Sequence, residues 1–173
     1  TFPKYKIEEV SFVFLGLFYV AIMLSFIYKI RILENGLFLV WLIFISAWGS
    51  DTCAYCVGML IGKRKFLPKL SPKKSLEGCI GGLVGAAFIG FLYGLIFSNS
   101  FTTIGNPKLA FAIICGLSSI ISQLGDLAAS AIKRNHDIKD YGKLIPGHGG
   151  ILDRFDSIIF VAPIVYYLII ILI

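Results

Sequence analysis

Apolar residues in this chain come in long unbroken runs rather than in alternation with polar ones. Five such segments stand out, at 9–28, 36–62, 79–98, 109–132 and 157–173. About 20 apolar residues are enough for a helix to cross the hydrocarbon core of a bilayer. Continuous runs predict helices, whereas a membrane barrel would show alternation. The expected fold is therefore an all-α integral membrane protein, a polytopic bundle of five transmembrane helices with polar loops between them. Residues 1–173 read as a single membrane-embedded domain. The second run is long and carries Asp51, which predicts a tilt, a bend or a break. The fifth contains Pro163.

Composition agrees with the pattern. The chain is 57% hydrophobic and 15% charged, with a mean hydropathy of +0.86. A soluble domain carries about 25% charged residues, so a soluble enzyme or soluble binding module is excluded. The chain opens at Thr1 with no charged, apolar and cleavage regions in signal-peptide order. The expectation is a sequence that starts inside a longer protein.

Charge is spread unevenly. Five spans put residues 1–8, 63–78 and 133–156 on one side, and these hold 13 of the 16 Lys and Arg residues. The other side holds Lys29, Arg31 and Lys108. The positive-inside rule places the basic side in the cytoplasm. A net charge of +6 on so little polar surface points to anionic lipid headgroups and phosphates, and not to nucleic acid. A bacterial plasma membrane is the expected location.

Small residues recur every fourth position at Gly78, Gly82, Ala86, Gly90 and Gly94, and again at Gly58 and Gly62. That spacing lets helix backbones approach closely and would also suit a homodimer interface. Cys53 and Cys56 have C-x-x-C spacing, but neither a second pair nor a nearby His completes a zinc site. With Cys79 and Cys115 they read as small packing residues.

Polar residues inside the apolar runs carry the candidate chemistry. Ser119, Ser122, Asp126, Ser130 and Lys133 follow one another at helical spacing and form one stripe ending in a basic loop. An acid at membrane depth facing a bundle interior is a functional candidate by default. Asp51, with Ser46, Ser50 and Tyr55, makes a second polar patch. Substrate contact and structural hydrogen bonding fit it equally.

Asp153 and Asp156 are three residues apart at the start of the last run. On a helix both carboxylates share a face, and carboxylates with substrate phosphates are how Mg²⁺ is usually held. Asp156 could instead act as a helix cap. Arg154 between them suits a phosphate. In Pro146-Gly147-His148-Gly149-Gly150 the backbone cannot be regular helix, and such loops cradle phosphates with their N–H groups. His148 could donate to phosphate or simply occupy a turn. In the block Ser71 to Gly78, Lys73 and Lys74 beside Ser71 and Ser75 suit phosphate. The same block also reads as positive-inside charge followed by a helix cap at Ser75.

These motifs together resemble the phosphatidate cytidylyltransferase family, the CDP-diacylglycerol synthases. The resemblance rests on Ser130 with Lys133-Arg134, Lys139-Asp140, Pro146 to Gly150, and Asp153-Arg154 with Asp156. The Ser71–Gly78 and Asp51–Gly58 blocks resemble further family elements, so the likeness runs over residues 46–157. Family members are usually longer, with extra helices before this region, and the resemblance implies a C-terminal catalytic part.

The resemblance implies transfer of CMP from CTP to phosphatidate, giving CDP-diacylglycerol and pyrophosphate in phospholipid biosynthesis. It implies Mg²⁺, with room for a second metal or a monovalent cation. Asp126, Asp153 and Asp156 would hold metal. Lys133, Arg134 and His148 would join them in catalysis. Asp51, Ser71, Lys73, Lys74, Ser75, Lys139, Asp140, Gly147, Gly149, Gly150 and Arg154 would bind substrate. A CTP-dependent enzyme acting on another lipid phosphate or on a polyprenol is the nearest alternative. An ion transporter using Asp51 and Asp126 is a more distant one.

Overall fold

The computed structural model describes residues 6–67, 71–101, 105–138, 140–142 and 149–173. Within them lie five helices long and apolar enough to cross a membrane. They are α1 (Glu9–Arg31), α2 (Gly36–Ile61), α3 (Leu76–Ile96), α4 (Pro107–Asn135) and α5 (Leu152–Leu172). The chain is an all-α polytopic membrane protein. Its outer face carries Phe12, Phe14, Met59, Leu60, Ile80, Phe88, Ile113 and Ile171, all exposed. So much apolar surface is stable in lipid and not in water.

Local sequence explains the ends. Asn35 adopts a left-handed conformation, φ 56°, which asparagine tolerates, and turns α1 into α2. Ser75 caps α3 by accepting a hydrogen bond from Gly78 N at 3.1 Å, as its position predicted. Asn106 caps α4 from just before Pro107. Helix α5 starts at Leu152, five residues ahead of the apolar run at 157. Asp153 and Asp156 stand at its N-terminus, where the helix dipole favours negative charge, so a polar first turn still folds as helix. Asp156 is therefore inside the helix and not its cap.

The long second run does not break. It passes through a π-helical turn at Ile45–Gly49 and resumes as α-helix at Ser50, one residue before Asp51. Such turns widen a helix locally and re-aim the side chains beyond them. Between α2 and α3 the loop is a short antiparallel hairpin, β1 (Lys65–Leu67) with β2 (Ser71–Ser75), pairing Lys65 with Ser75 and Leu67 with Ser71. This hairpin was not expected from a block of prolines and lysines.

Antiparallel spans give the bundle a dry half and a wet half. Ile30, Leu42, Ile43, Phe111, Ile114, Val161 and Val165 are fully buried and form the dry core. At the opposite end converge the C-terminal halves of α2 and α4, the hairpin and the start of α5. The small-residue stripe of α3 is buried inside the chain. A Cβ on Gly82 would stand 2.9 Å from Ser50 O on α2, and one on Gly90 would stand 2.7 Å from Phe111 O on α4. The stripe thus brings α2 and α4 against α3 and is used up by packing within the chain, not left for a second copy. All four cysteines are free, and Cys53 and Cys115 pack against Gly85 and Gly90, as small packing residues do.

Gly90→Ala is expected to cost about 1–3 kcal/mol, because backbone cannot yield as a flexible side chain can. Gly16→Ala, where a Cβ would meet nothing within 4 Å, is expected to cost nothing. Thermal unfolding in detergent checks the pair, and equal melting temperatures would refute tight packing along the stripe.

Candidate active site

A cavity of about 560 Å³ opens at the wet end. Helix α2 gives it Asp51 and Tyr55, the hairpin gives Ser71, Lys74 and Ser75, and α4 gives Gln123 and Asp126. Asp51, in the α-helical turn just after Gly49, is exposed to this space. Lys74 Nζ lies 2.5 Å from Asp126 Oδ2 and donates to Gln123 O at 3.5 Å. Gln123 ties three helices together under the cavity. Its Nε2 donates to Cys79 O on α3 at 3.0 Å and to Ser50 Oγ on α2 at 3.5 Å.

A second charged centre stands beside the first. Lys133 Nζ donates to Asp153 Oδ1 at 3.0 Å and lies 3.6 Å from Asp156 Oδ2. It also sits 5.2 Å from the centre of the Tyr141 ring. The other oxygen of Asp153 accepts from Tyr141 N and Gly150 N, each at 2.9 Å. One carboxylate thereby gathers α4, α5 and both described ends of the loop between them. Gly149 has φ 80°, and a Cβ there would stand 2.9 Å from Asp153 Oδ2. Only glycine lets the loop close onto this carboxylate. Tyr141 Oη donates to Ala129 O at 3.3 Å, and burial pushes its phenol above the ordinary range, keeping it a donor.

The two centres share one electrostatic neighbourhood. Asp51 and Asp126 repel each other, and Asp156 repels both. Like charges at this depth are costly without counter-charge. The carboxylate oxygens suit a hard divalent cation by type. Here Lys74 and Lys133 hold three of the four acids, and among the described residues no group of three His, Cys, Asp or Glu side chains converges as a ligand set.

The structure thus brings together Asp51, Ser71, Lys74, Ser75 and Asp126 in the cavity, and Lys133, Gly149, Gly150, Asp153 and Asp156 in the adjoining centre. Asp140 is exposed next to Gly149. Arg134, at the end of α4, and Arg154, in the first turn of α5, are exposed. Lys139, Gly147 and His148, and the side chain of Lys73, lie outside the described residues.

Three participants were missed in the sequence. Gln123 is one helical turn before Asp126, and its amide inside an apolar run was the available signal. Tyr141 sits beside Lys139-Asp140 but reads as a loop aromatic. Tyr19 lies in α1, outside every motif. Its hydroxyl is buried with no hydrogen-bond partner among the described residues, and it interacts electrostatically with Tyr141 and Asp156. No motif spacing could have linked it to them.

A family model described as the cytidylyltransferase family matches residues 2–172. The chain belongs to the cytidylyltransferase family. It is 39% identical over 165 residues to the phosphatidate cytidylyltransferase of Bacillus subtilis, covering 95% of this chain and 60% of that one. To the Haemophilus influenzae protein of the same name it is 46% identical over 134 residues, covering 77% and 46%. To that of Thermotoga maritima it is 37% identical over 167 residues, covering 95% and 60%. The chain spans about 60% or less of the length of these curated relatives.

Asp153→Ala should release the loop while leaving the helices in place. Amide exchange at Tyr141 and Gly150 is expected to rise about ten- to hundredfold, the value of a hydrogen bond to a charged acceptor. Unchanged protection at both amides would show that Asp153 does not organise the loop.

Proposed function

We propose that the protein transfers CMP from CTP to phosphatidate, forming CDP-diacylglycerol and pyrophosphate. The observation that carries this reading is the pair of lysine–carboxylate centres joined at one end of a membrane bundle. Family membership and the names of the relatives support the same chemistry. The wet end carries most of the basic residues, so we place it in the cytoplasm of a bacterial plasma membrane, where CTP is available.

Both reactants are anions, and the reaction needs charge neutralisation and alignment more than a protein nucleophile. A phosphate oxygen of phosphatidate attacks the α-phosphorus of CTP, and pyrophosphate departs with its bond electrons. Lys74 and Ser71, on the hairpin, face the cavity and bind nucleotide phosphates. Lys133, between Asp153 and Asp156, is fixed in position and offers its charge to the transferring group. Asp153 holds the Gly149–Gly150 backbone against the site, and Arg134 and Arg154 extend the basic rim. The small cavity takes the polar parts of both substrates, while the acyl chains stay in lipid along the apolar helix faces. Asp126 and Asp156 would hold Mg²⁺ together with substrate oxygens, while Asp153, given a metal role by the family resemblance, has both its oxygens engaged by Lys133 and the loop amides. The ion when bound would neutralise phosphate charge and stabilise the leaving group.

Labelled CTP and phosphatidate in detergent, with the full-length protein, test the reading. Metal-dependent label in extractable lipid is expected. Asp126→Asn should lower the rate by at least about 100-fold, since a charged ligand is lost, while the protein stays folded. Asp126→Asn at the wild-type rate would remove Asp126 from the site. Phospholipid with release of CDP, from a lipid alcohol, would replace phosphatidate by that acceptor.

A further inference from the structure

An ammonium group sits against one oxygen of each of three acids that a divalent cation could use. Lys74 holds Asp126, and Lys133 holds Asp153 and Asp156. A cation cannot take an oxygen while an ammonium sits against it, because the two positive charges repel at contact distance. The two lysines differ in how firmly they are held. Lys133 grips two carboxylates, lies by an aromatic ring, and has a side chain only 12% exposed. Lys74 pairs with one carboxylate from a short hairpin on the cavity wall, and its side chain is 22% exposed against 29% for Asp126. A lysine is a point charge on a flexible stem and can swing to a new anion without moving the backbone.

We propose that Lys74 is an exchangeable counter-ion, competing with the divalent cation for Asp126 and leaving it for a phosphate that enters the cavity. This rests on the reading of the site as a nucleotide and metal centre. One ion pair is exchanged for another, Lys74–carboxylate for Lys74–phosphate, and no covalent bond changes. In the resting protein Lys74 relieves the repulsion between Asp51 and Asp126. When phosphate draws it away, Asp126 becomes available at the moment cation is needed. Cation alone therefore binds weakly, and cation and nucleotide favour each other's binding through the lysine. Lys74 is a positioning residue in this scheme as well as a phosphate ligand.

Mn²⁺ titration without nucleotide, followed by the electron paramagnetic resonance of the free ion, tests it on the full-length protein. Lys74→Met should bind Mn²⁺ at least about tenfold tighter than the wild type, as loss of a competing contact charge demands. Lys65→Met removes a charge from the same cavity wall without touching Asp126, and should gain less than about threefold. Adding Asp126→Asn to Lys74→Met should erase the gain. Lys74→Gln repeats the test if the Met variant does not fold. A Lys74 variant that binds no tighter than Lys65→Met overturns the competition while leaving the site reading standing. A gain that survives Asp126→Asn overturns both, because the ion would then sit elsewhere.

Discussion

Asp51, Asp126, Asp153 and Asp156 stand together at the wet end of a membrane bundle, where unpaired charge is still expensive. Two lysines hold three of them. Removing one partner of such a pair strands the other charge, and this costs most at Lys133, where the side chains are most buried. The hairpin brings Lys74 to α4, and Lys133 reaches from α4 to α5. Each ion pair therefore fixes the place of one element as well as the charge of one acid. The hairpin is held from its other side too, by Glu77, which accepts from the backbone N–H groups of Lys63 and Arg64.

The dry half makes this possible. Phe111, Ile114, Val161 and Val165 lock α4 against α5, and the glycines of α3 let α2 and α4 approach its axis. Polar groups at the other end are then set on rigid helices by the packing below them. Gln123 is the joint between the halves. It lines the cavity and touches α2 and α3 at once.

Much of this was legible in the chain. Continuous apolar runs fixed the five spans to within a few residues, and helical spacing placed Ser119, Ser122 and Asp126 on an interior face, where the serines are fully buried. Asp51 and Asp126 were visible as acids inside apolar runs, and Lys74 as part of the basic Ser71–Gly78 block, though the three are far apart in sequence. Their meeting was not legible, since it depends on how the glycines of α3 let α2 and α4 pack against it. The hairpin was hidden because its strand β2 contains Pro72 and two lysines, poor strand formers held in place by pairing with β1. The early start of α5 was hidden for another reason, namely that apolar runs do not register a polar first turn stabilised by the helix dipole. Tyr19 shows the limit of motifs, which cannot report a partner brought from the first helix.

On the proposed function the two lysine–carboxylate centres would form one nucleotide site, and the functional reading depends on this. An experimental structure of the full-length protein with bound CTP and Mg²⁺ tests it most directly. The expected result is the triphosphate in the cavity between the hairpin and α4, with a phosphate oxygen within about 4 Å of Lys74 Nζ, the usual ion-pair distance. Nucleotide bound outside that cavity, with Lys74 still against Asp126, would contradict it.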